Sequence, residues 1–173
     1  SRSSHGLEQH LEDARRLKTL LERVETCTDA NQKGKALEDL VAALFATVPG
    51  FEVKQCTRTA TEEIDLLILN DSAAGPFRRE GDVILAECKN WNRKCGKNEF
   101  VLFKNKVLNR GGRCTIGFLI SWNGFARTVV QEMLRESQQL RIVPVEGADI
   151  RKAVADGRFL EVLMEARRRA LLL

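Results

Sequence analysis

Glu63-Ile64-Asp65-Leu66-Leu67-Ile68-Leu69 and Val83-Ile84-Leu85-Ala86-Glu87-Cys88-Lys89 decide how this chain folds. Each is a short apolar run bounded by polar or turn-forming residues, the pattern of a largely buried strand. Each also has a carboxylate set into it, at Asp65 and at Glu87. Residues two apart on a strand project to one face, about 7 Å apart. Glu87 and Lys89 therefore close a strip begun by Val83 and Leu85. Ionised groups are costly to bury unpaired, so their position on a core strip calls for a reason.

Working outward, residues 7–24 carry Leu7, Leu11, Leu17, Leu20 and Leu21 among many charges, which reads as an amphipathic helix. A polar break over residues 26–32 separates it from a second helix over 33–48. The apolar stripe of that helix is Leu37, Leu40, Val41, Leu44, Phe45 and Val48, and Pro49-Gly50 stops it. Strands follow over 51–56, 63–70 and 82–90, with a loop at 71–81 that contains Gly75-Pro76. Such short links favour an antiparallel meander. A helix over 97–109, ended by Gly111-Gly112, leads to an apolar strand over 115–121. A strand entered after a full helical crossover pairs in parallel. The remainder reads as a helix over 125–138, a strand over 141–145 and helical segments over 149–155 and 159–172. Pro144 lacks an amide donor and puts the last strand at a sheet edge. The order is that of an α/β sandwich around a mixed sheet.

At 173 residues, 43% of them hydrophobic, the chain can bury one proper core. Aromatics are scarce at 6% and Tyr is absent, so that core is expected to be aliphatic. The balance of 28 basic against 24 acidic residues, +4, is compatible with a polyanionic partner. Local clustering says more. Lys89, Arg93, Lys94 and Lys97 fall in one short polar stretch, which either holds phosphates against the acid-lysine pair or is a solvated face. The five cysteines are odd in number and lack CxxC spacing, so they read as reduced thiols of a cytoplasmic protein. The two histidines, His5 and His10, lie in the N-terminal segment, which argues against a structural zinc site. No apolar run approaches the ~20 residues that span a membrane. The start Ser-Arg-Ser-Ser, without Met, suggests either a scar left by expression or a domain taken from something longer.

Three carboxylates from three elements (Glu38 on the second helix, Asp65 and Glu87 on strands), together with Lys89, suit the cutting of phosphodiesters. Mg²⁺ is a hard ion that takes oxygen ligands and keeps several waters. Bound next to a phosphate it neutralises charge and acidifies a water. Asp65 and Glu87 can converge on such an ion if their strands pair. The backbone carbonyl of Cys88 is a further ligand, and Lys89 would orient the water and stabilise charge in the transition state. Mn²⁺ could substitute.

The order Glu38, Asp65, Glu87-Cys88-Lys89 resembles the PD-(D/E)XK nuclease superfamily. More narrowly, Gly34-Lys35-Ala36-Leu37-Glu38 with Leu40-Val41-Ala42 is similar to the opening helix of Mrr-like restriction endonucleases. Glu87-Cys88-Lys89-Asn90-Trp91 resembles their metal-site strand and following aromatic. Ile116-Gly117-Phe118-Leu119-Ile120-Ser121, Gly124-Phe125-Ala126 and Val145-Glu146-Gly147-Ala148-Asp149-Ile150 resemble later elements of that family. The likeness runs over roughly residues 33 to 163. It implies a restriction-endonuclease-like three-layer sandwich with a central mixed sheet, an αβββαβ core, plus an extra N-terminal helix. Residues 1–32 would be a helical extension and 33–173 the nuclease domain. The implied activity is Mg²⁺-dependent cleavage of DNA, most naturally in defence against foreign DNA. Lys89, Glu87, Asp65 and Glu38 would be its catalytic set, with Asp65, Glu87, the Cys88 carbonyl and Glu38, this last through a water, on the metal. Arg93, Lys94, Lys97 and Trp91 would meet the nucleic acid.

Two departures stand out. Relatives usually have glycines before the metal-binding Asp, where this chain has Thr61-Glu62-Glu63-Ile64. Glu63 either adds a ligand or only flanks the site. The first residue of the acid-x-Lys unit is commonly Gln in Mrr-like proteins and is Glu87 here, which favours a hard ion. Asp39 rivals Glu38 for the helix position, and the family pattern favours Glu38. Glu99 either reaches the site or is a helix N-terminal charge. Trp91 either stacks on a base or packs, and Asn123 reads as a helix cap. RNA or branched DNA are open as substrates, as is a non-catalytic binding module on the same fold. A dimer, or a place in a larger multidomain protein, is expected, partly from the apolar tail Ala170-Leu171-Leu172-Leu173.

Overall fold

The computed structural model describes residues 2–59, 62–72, 75–135 and 141–172. Helices α1 (Arg2–Thr26) and α2 (Ala30–Ala46) lead into β1 (Phe51–Arg58), β2 (Glu63–Asn70) and β3 (Val83–Lys89). Then come α3 (Lys97–Leu108), β4 (Ile116–Ser121), α4 (Arg127–Arg135), β5 (Arg141–Glu146), α5 (Gly147–Asp156) and α6 (Phe159–Leu171). The strands form one sheet in the order β1-β2-β3-β4-β5. β1–β2 and β2–β3 are antiparallel, while β3–β4 and β4–β5 are parallel. The meander, the parallel entry of β4 and the edge position of β5 with its Pro144 all match what the sequence implies. The boundaries differ by a few residues: α1 is longer, β1 runs two residues further, and α2 begins at Ala30 inside the expected polar break. The expected end of the fourth helix, beyond Arg135, falls outside the described residues.

Two apolar layers sandwich the sheet. On one side, Leu66, Ile68, Ile84, Ala86, Phe118 and Ile120 pack with buried residues of α1, α2, α5 and α6. On the other, Leu85 and Leu119 pack with Phe100, Phe103 and Val107 of α3 and Val129 of α4. β4 is buried along its whole length, as a central parallel strand covered on both faces should be. Gly117 lets α3 come this close: a Cβ there would meet the Phe103 ring and Val107 at 2.9 Å. The expectation of an aliphatic core is corrected. Seven of the eight phenylalanines are buried, and the Phe45 ring contacts those of Phe51, Phe118 and Phe159 at 5.0–6.3 Å. Low aromatic content here means few rings, concentrated where they bury most area.

α2 starts where Asp29 accepts the Gln32 amide at 3.0 Å and ends before Gly50, whose φ of 86° suits a residue without a Cβ. α1 lays Leu17 and Val24 onto the core and leaves Leu7 and Leu11 exposed. At the end of the sheet where β3 begins, Glu80 gathers three partners. Arg167 of α6 approaches at 2.9 Å, Arg141 of β5 at 3.5 Å, and the Thr115 hydroxyl also donates to it.

Candidate active site

The opposite end of the sheet carries the carboxylates. β2 starts there and β3, running antiparallel to it, ends there, so Asp65 and Glu87 come from neighbouring strands at the same edge. The β2–β3 ladder is paired as far as Leu66↔Ala86 and stops. One step further the Asp65 side chain takes over, accepting the Cys88 backbone N–H at 3.0 Å. The β1–β2 ladder is interrupted at the same place. Gln55 pairs with Leu66 and Thr57 with Ile64, but Cys56 and Asp65 are not paired, and Cys56 has a φ of +50°. The alternation of faces reverses there too: Ile64 packs with the α3 layer, whereas Leu66 and Ile68 pack with the α2 layer. Asp65 thus stands where its strand is released from both neighbours.

Glu87 is 3% exposed and has an ammonium group at each carboxylate oxygen. Lys89 Nζ lies 3.4 Å from Oε2, and Lys106 Nζ of α3 hydrogen-bonds to Oε1. Lys89 also sits over the Trp91 ring, 5.2 Å from its centroid, with the Arg93 guanidinium 4.2 Å from that ring. Burial pushes the Asp65 carboxyl above the ordinary carboxylate value. The Cys88 amide opposes that rise, the negative charge of Glu87 adds to it, and Lys89 and Lys106 offset it. Glu38 is also raised, first by burial and then by the charge of Asp65, and the Cys56 thiol donates to its Oε2 at 3.6 Å. The structure therefore brings Glu38, Asp65, Glu87 and Lys89 into one electrostatic neighbourhood.

The rival acid on α2 is spoken for. Asp39 is bonded by Arg23 at 2.9 Å, Lys35 at 2.8 Å and Gln55 at 3.0 Å, which hold its carboxyl low against the effect of burial. Cys88 is buried in the α2-side layer with its thiol pushed well up by burial, as core rather than nucleophile. Its neighbour's carbonyl, that of Lys89, accepts the Trp122 amide at 2.9 Å from the β4 side. Backbone groups alternate along a strand, so Cys88 presents its amide and carbonyl towards β2, where the ladder has ended. Glu63 is exposed. Glu99 caps α3, accepting the Gly96 amide at 3.1 Å, and lies 3.7 Å from Arg93. Arg93, Lys94 and Lys97 are exposed, with Lys97 3.3 Å from Glu132 of α4. Asn123 does not cap the helix after it, because α4 begins four residues on, at Arg127; its side-chain amide donates to the Trp91 carbonyl.

Lys106 is the residue that sequence reasoning missed at this site. The signal is its spacing. It lies three residues after Phe103 and one before Val107, inside the buried stripe of α3. Arg110, one turn on, pairs with Glu62 beside the start of β2. α3 and the turn that follows it thus set two cations against two acids at the strand ends.

Among the described residues, no three His, Cys, Asp or Glu side chains gather tightly enough to hold an ion by themselves. The donors present nonetheless suit a hard cation that takes one or two carboxylates and keeps its waters. They are all oxygens, and the negative charges of Glu87 and Asp65 help to raise the Asp65 and Glu38 carboxyls respectively.

A family model described as restriction endonuclease, Mrr_cat, matches residues 30–154. The chain belongs to that family. Solved structures similar to it include three at 16–18% identity. A protein of unknown function, AF1548, is 18% identical, with a TM-score of 0.45 over 76% of this chain and 65% of that one. The MspJI restriction endonuclease in complex with a 27-mer oligonucleotide is 18% identical, with a TM-score of 0.47 over 93% and 39%. The DNA modification-dependent restriction endonuclease AspBHI is 16% identical, with a TM-score of 0.49 over 90% and 40%. The chain spans between 39% and 65% of the length of these proteins. No curated protein matches it. Among the described residues no helix is long and apolar enough to cross a membrane.

Proposed function

We propose that this chain is a Mg²⁺-dependent DNA endonuclease, with Mn²⁺ able to substitute, that hydrolyses phosphodiester bonds in defence against foreign DNA. The reading is carried by one observation: Asp65 and Glu87 stand together at the end of the ladder with Lys89 against Glu87. When bound, the ion supplies positive charge to the phosphate and acidifies a water. Asp65 and Glu87 would hold it, with the Cys88 carbonyl beside them and Glu38 acting through a water. Lys89, kept between Glu87 and the Trp91 ring, holds an ammonium where charge builds on the phosphate and orients the attacking water. Arg93, Lys94 and Lys97 line the approach of the backbone, and Trp91 shapes it. The setting in defence rests on the family alone.

The test is cleavage of supercoiled DNA, linear DNA, single strands, branched DNA and RNA, with Mg²⁺, Mn²⁺ or EDTA, beside Lys89→Ala. Ion-dependent nicking of DNA that Lys89→Ala lacks is expected; cleavage that survives EDTA or Lys89→Ala overturns the reading. A non-catalytic nucleic-acid-binding module is favoured by one feature, the two ammonium groups already on Glu87. It predicts binding of DNA without turnover under every ion condition.

A further inference from the structure

Glu87 draws its second cation from another layer of the fold. Lys89 stands two residues away on the same strand and is shared with Trp91. Lys106 comes from α3, placed by the buried Phe103 and Val107, and its ammonium hydrogen-bonds to Oε1. Such an ammonium does for a buried carboxylate what a bound cation would do, supplying the opposite charge that burial otherwise denies it. A divalent ion and an ammonium on the same carboxylate repel each other, so each weakens the hold of the other. Resting on the metal-dependent reading above, we infer that Lys106 is a built-in counter-ion for Glu87 that competes with the divalent ion. It keeps the buried acid paired when no ion is present, and it sets the ion affinity below what the carboxylates alone would give.

The experiment titrates Mn²⁺ calorimetrically, without DNA, into the wild type, Lys106→Met, Lys106→Arg and Asp65→Asn, and follows thermal midpoints with and without Mn²⁺. Lys106→Met keeps the apolar stem and loses the charge. It is expected to bind Mn²⁺ about tenfold more tightly, to melt below the wild type without the ion, and to gain more from saturating Mn²⁺. Lys106→Arg is expected to stay close to the wild type in both. Equal or weaker Mn²⁺ binding by Lys106→Met overturns the competition. If Lys106→Met does not fold, Lys106→Gln, which retains a neutral donor for Oε1, is held to the same sign. Mn²⁺ binding that Asp65→Asn abolishes but Lys106→Met leaves unchanged sinks the counter-ion role alone. Failure of the wild type to bind Mn²⁺ sinks the metal-dependent reading as well.

Discussion

Asp65 Oδ2 accepts the backbone N–H of Cys88 at 3.0 Å, one step past the last pair of the β2–β3 ladder. A side chain completes a strand pairing that the backbone has abandoned. The same carboxylate is therefore both a structural acceptor and a candidate ligand, and the two roles can be separated by choice of substitution.

Asp65→Asn keeps an oxygen for the Cys88 amide and removes the charge. It should abolish ion-dependent cleavage and weaken Mn²⁺ binding, with a thermal midpoint at or above the wild type, because like-charge repulsion with Glu87 is relieved. Asp65→Ala removes both and should be less stable than Asp65→Asn by about 1–3 kcal/mol, the cost of an orphaned buried amide. Calorimetry and thermal melts check this; equal stability of the two variants would deny the structural role.

Lys89→Ala should retain Mn²⁺ binding and lose roughly a hundredfold or more in turnover, since its ammonium acts on the water and the developing charge. The readout is single-turnover nicking at saturating ion. Normal turnover would leave Lys89 as nothing more than a partner of Glu87 and Trp91.

Replacing Arg93, Lys94 and Lys97 together by Ala should weaken DNA binding while leaving Mn²⁺ binding unchanged. Each lost phosphate contact lowers the slope of log affinity against log salt by about one. Arg93 and Lys97 keep exposed cationic ends although they pair with the half-buried Glu99 and Glu132. An unchanged slope in filter binding would move the DNA path away from this stretch.

Burial pushes the Cys95 thiol up to about 11 and raises Cys114 as well. Both remain protonated in the folded protein at pH values where an unfolded chain, with thiols near 9.0, has begun to ionise. The unfolded state then binds fewer protons, so stability should fall as pH rises from about 9 towards 11. Titration with a thiol reagent at pH 8 should modify Cys27 and Cys56 first and reach Cys88, Cys95 and Cys114 only on unfolding. Early reaction of all five would contradict the packing.

Self-association is the last expectation. Leu172 is 80% exposed and Leu171 58%, at the end of a helix rich in arginine. A double-strand break requires two active sites or two binding events. Light scattering at several concentrations should find a species heavier than the monomer. A strictly monomeric protein that linearises plasmid in one step would defeat the argument.

The strands were legible because their apolar runs are short, bounded and in the order a meander followed by a crossover requires. The acids and Lys89 were legible because they interrupt those runs. What escaped notice depends on contacts between elements. A period of two puts Ile64 on one face with Leu66, and nothing local announces that the alternation reverses at Asp65. Lys106 carries a spacing signal, but a lysine inside an apolar stripe is ambiguous until its partner on another strand is known. Asn123 has the right residue type for a cap, but α4 starts at Arg127, two residues later than the apolar pattern implies, and leaves it out of reach. Phenylalanine content gave the number of rings and not their convergence on Phe45.

The clamp on Glu80 has a consequence for how such a chain can change over generations. It binds β5, α6 and the residue that leads into β4 to the loop before β3, at the end of the sheet remote from Asp65 and Glu87. Substitutions that retune the acidic end are therefore not also spending the contacts that anchor the last helix. Innovation and upkeep fall to opposite ends of the same five strands.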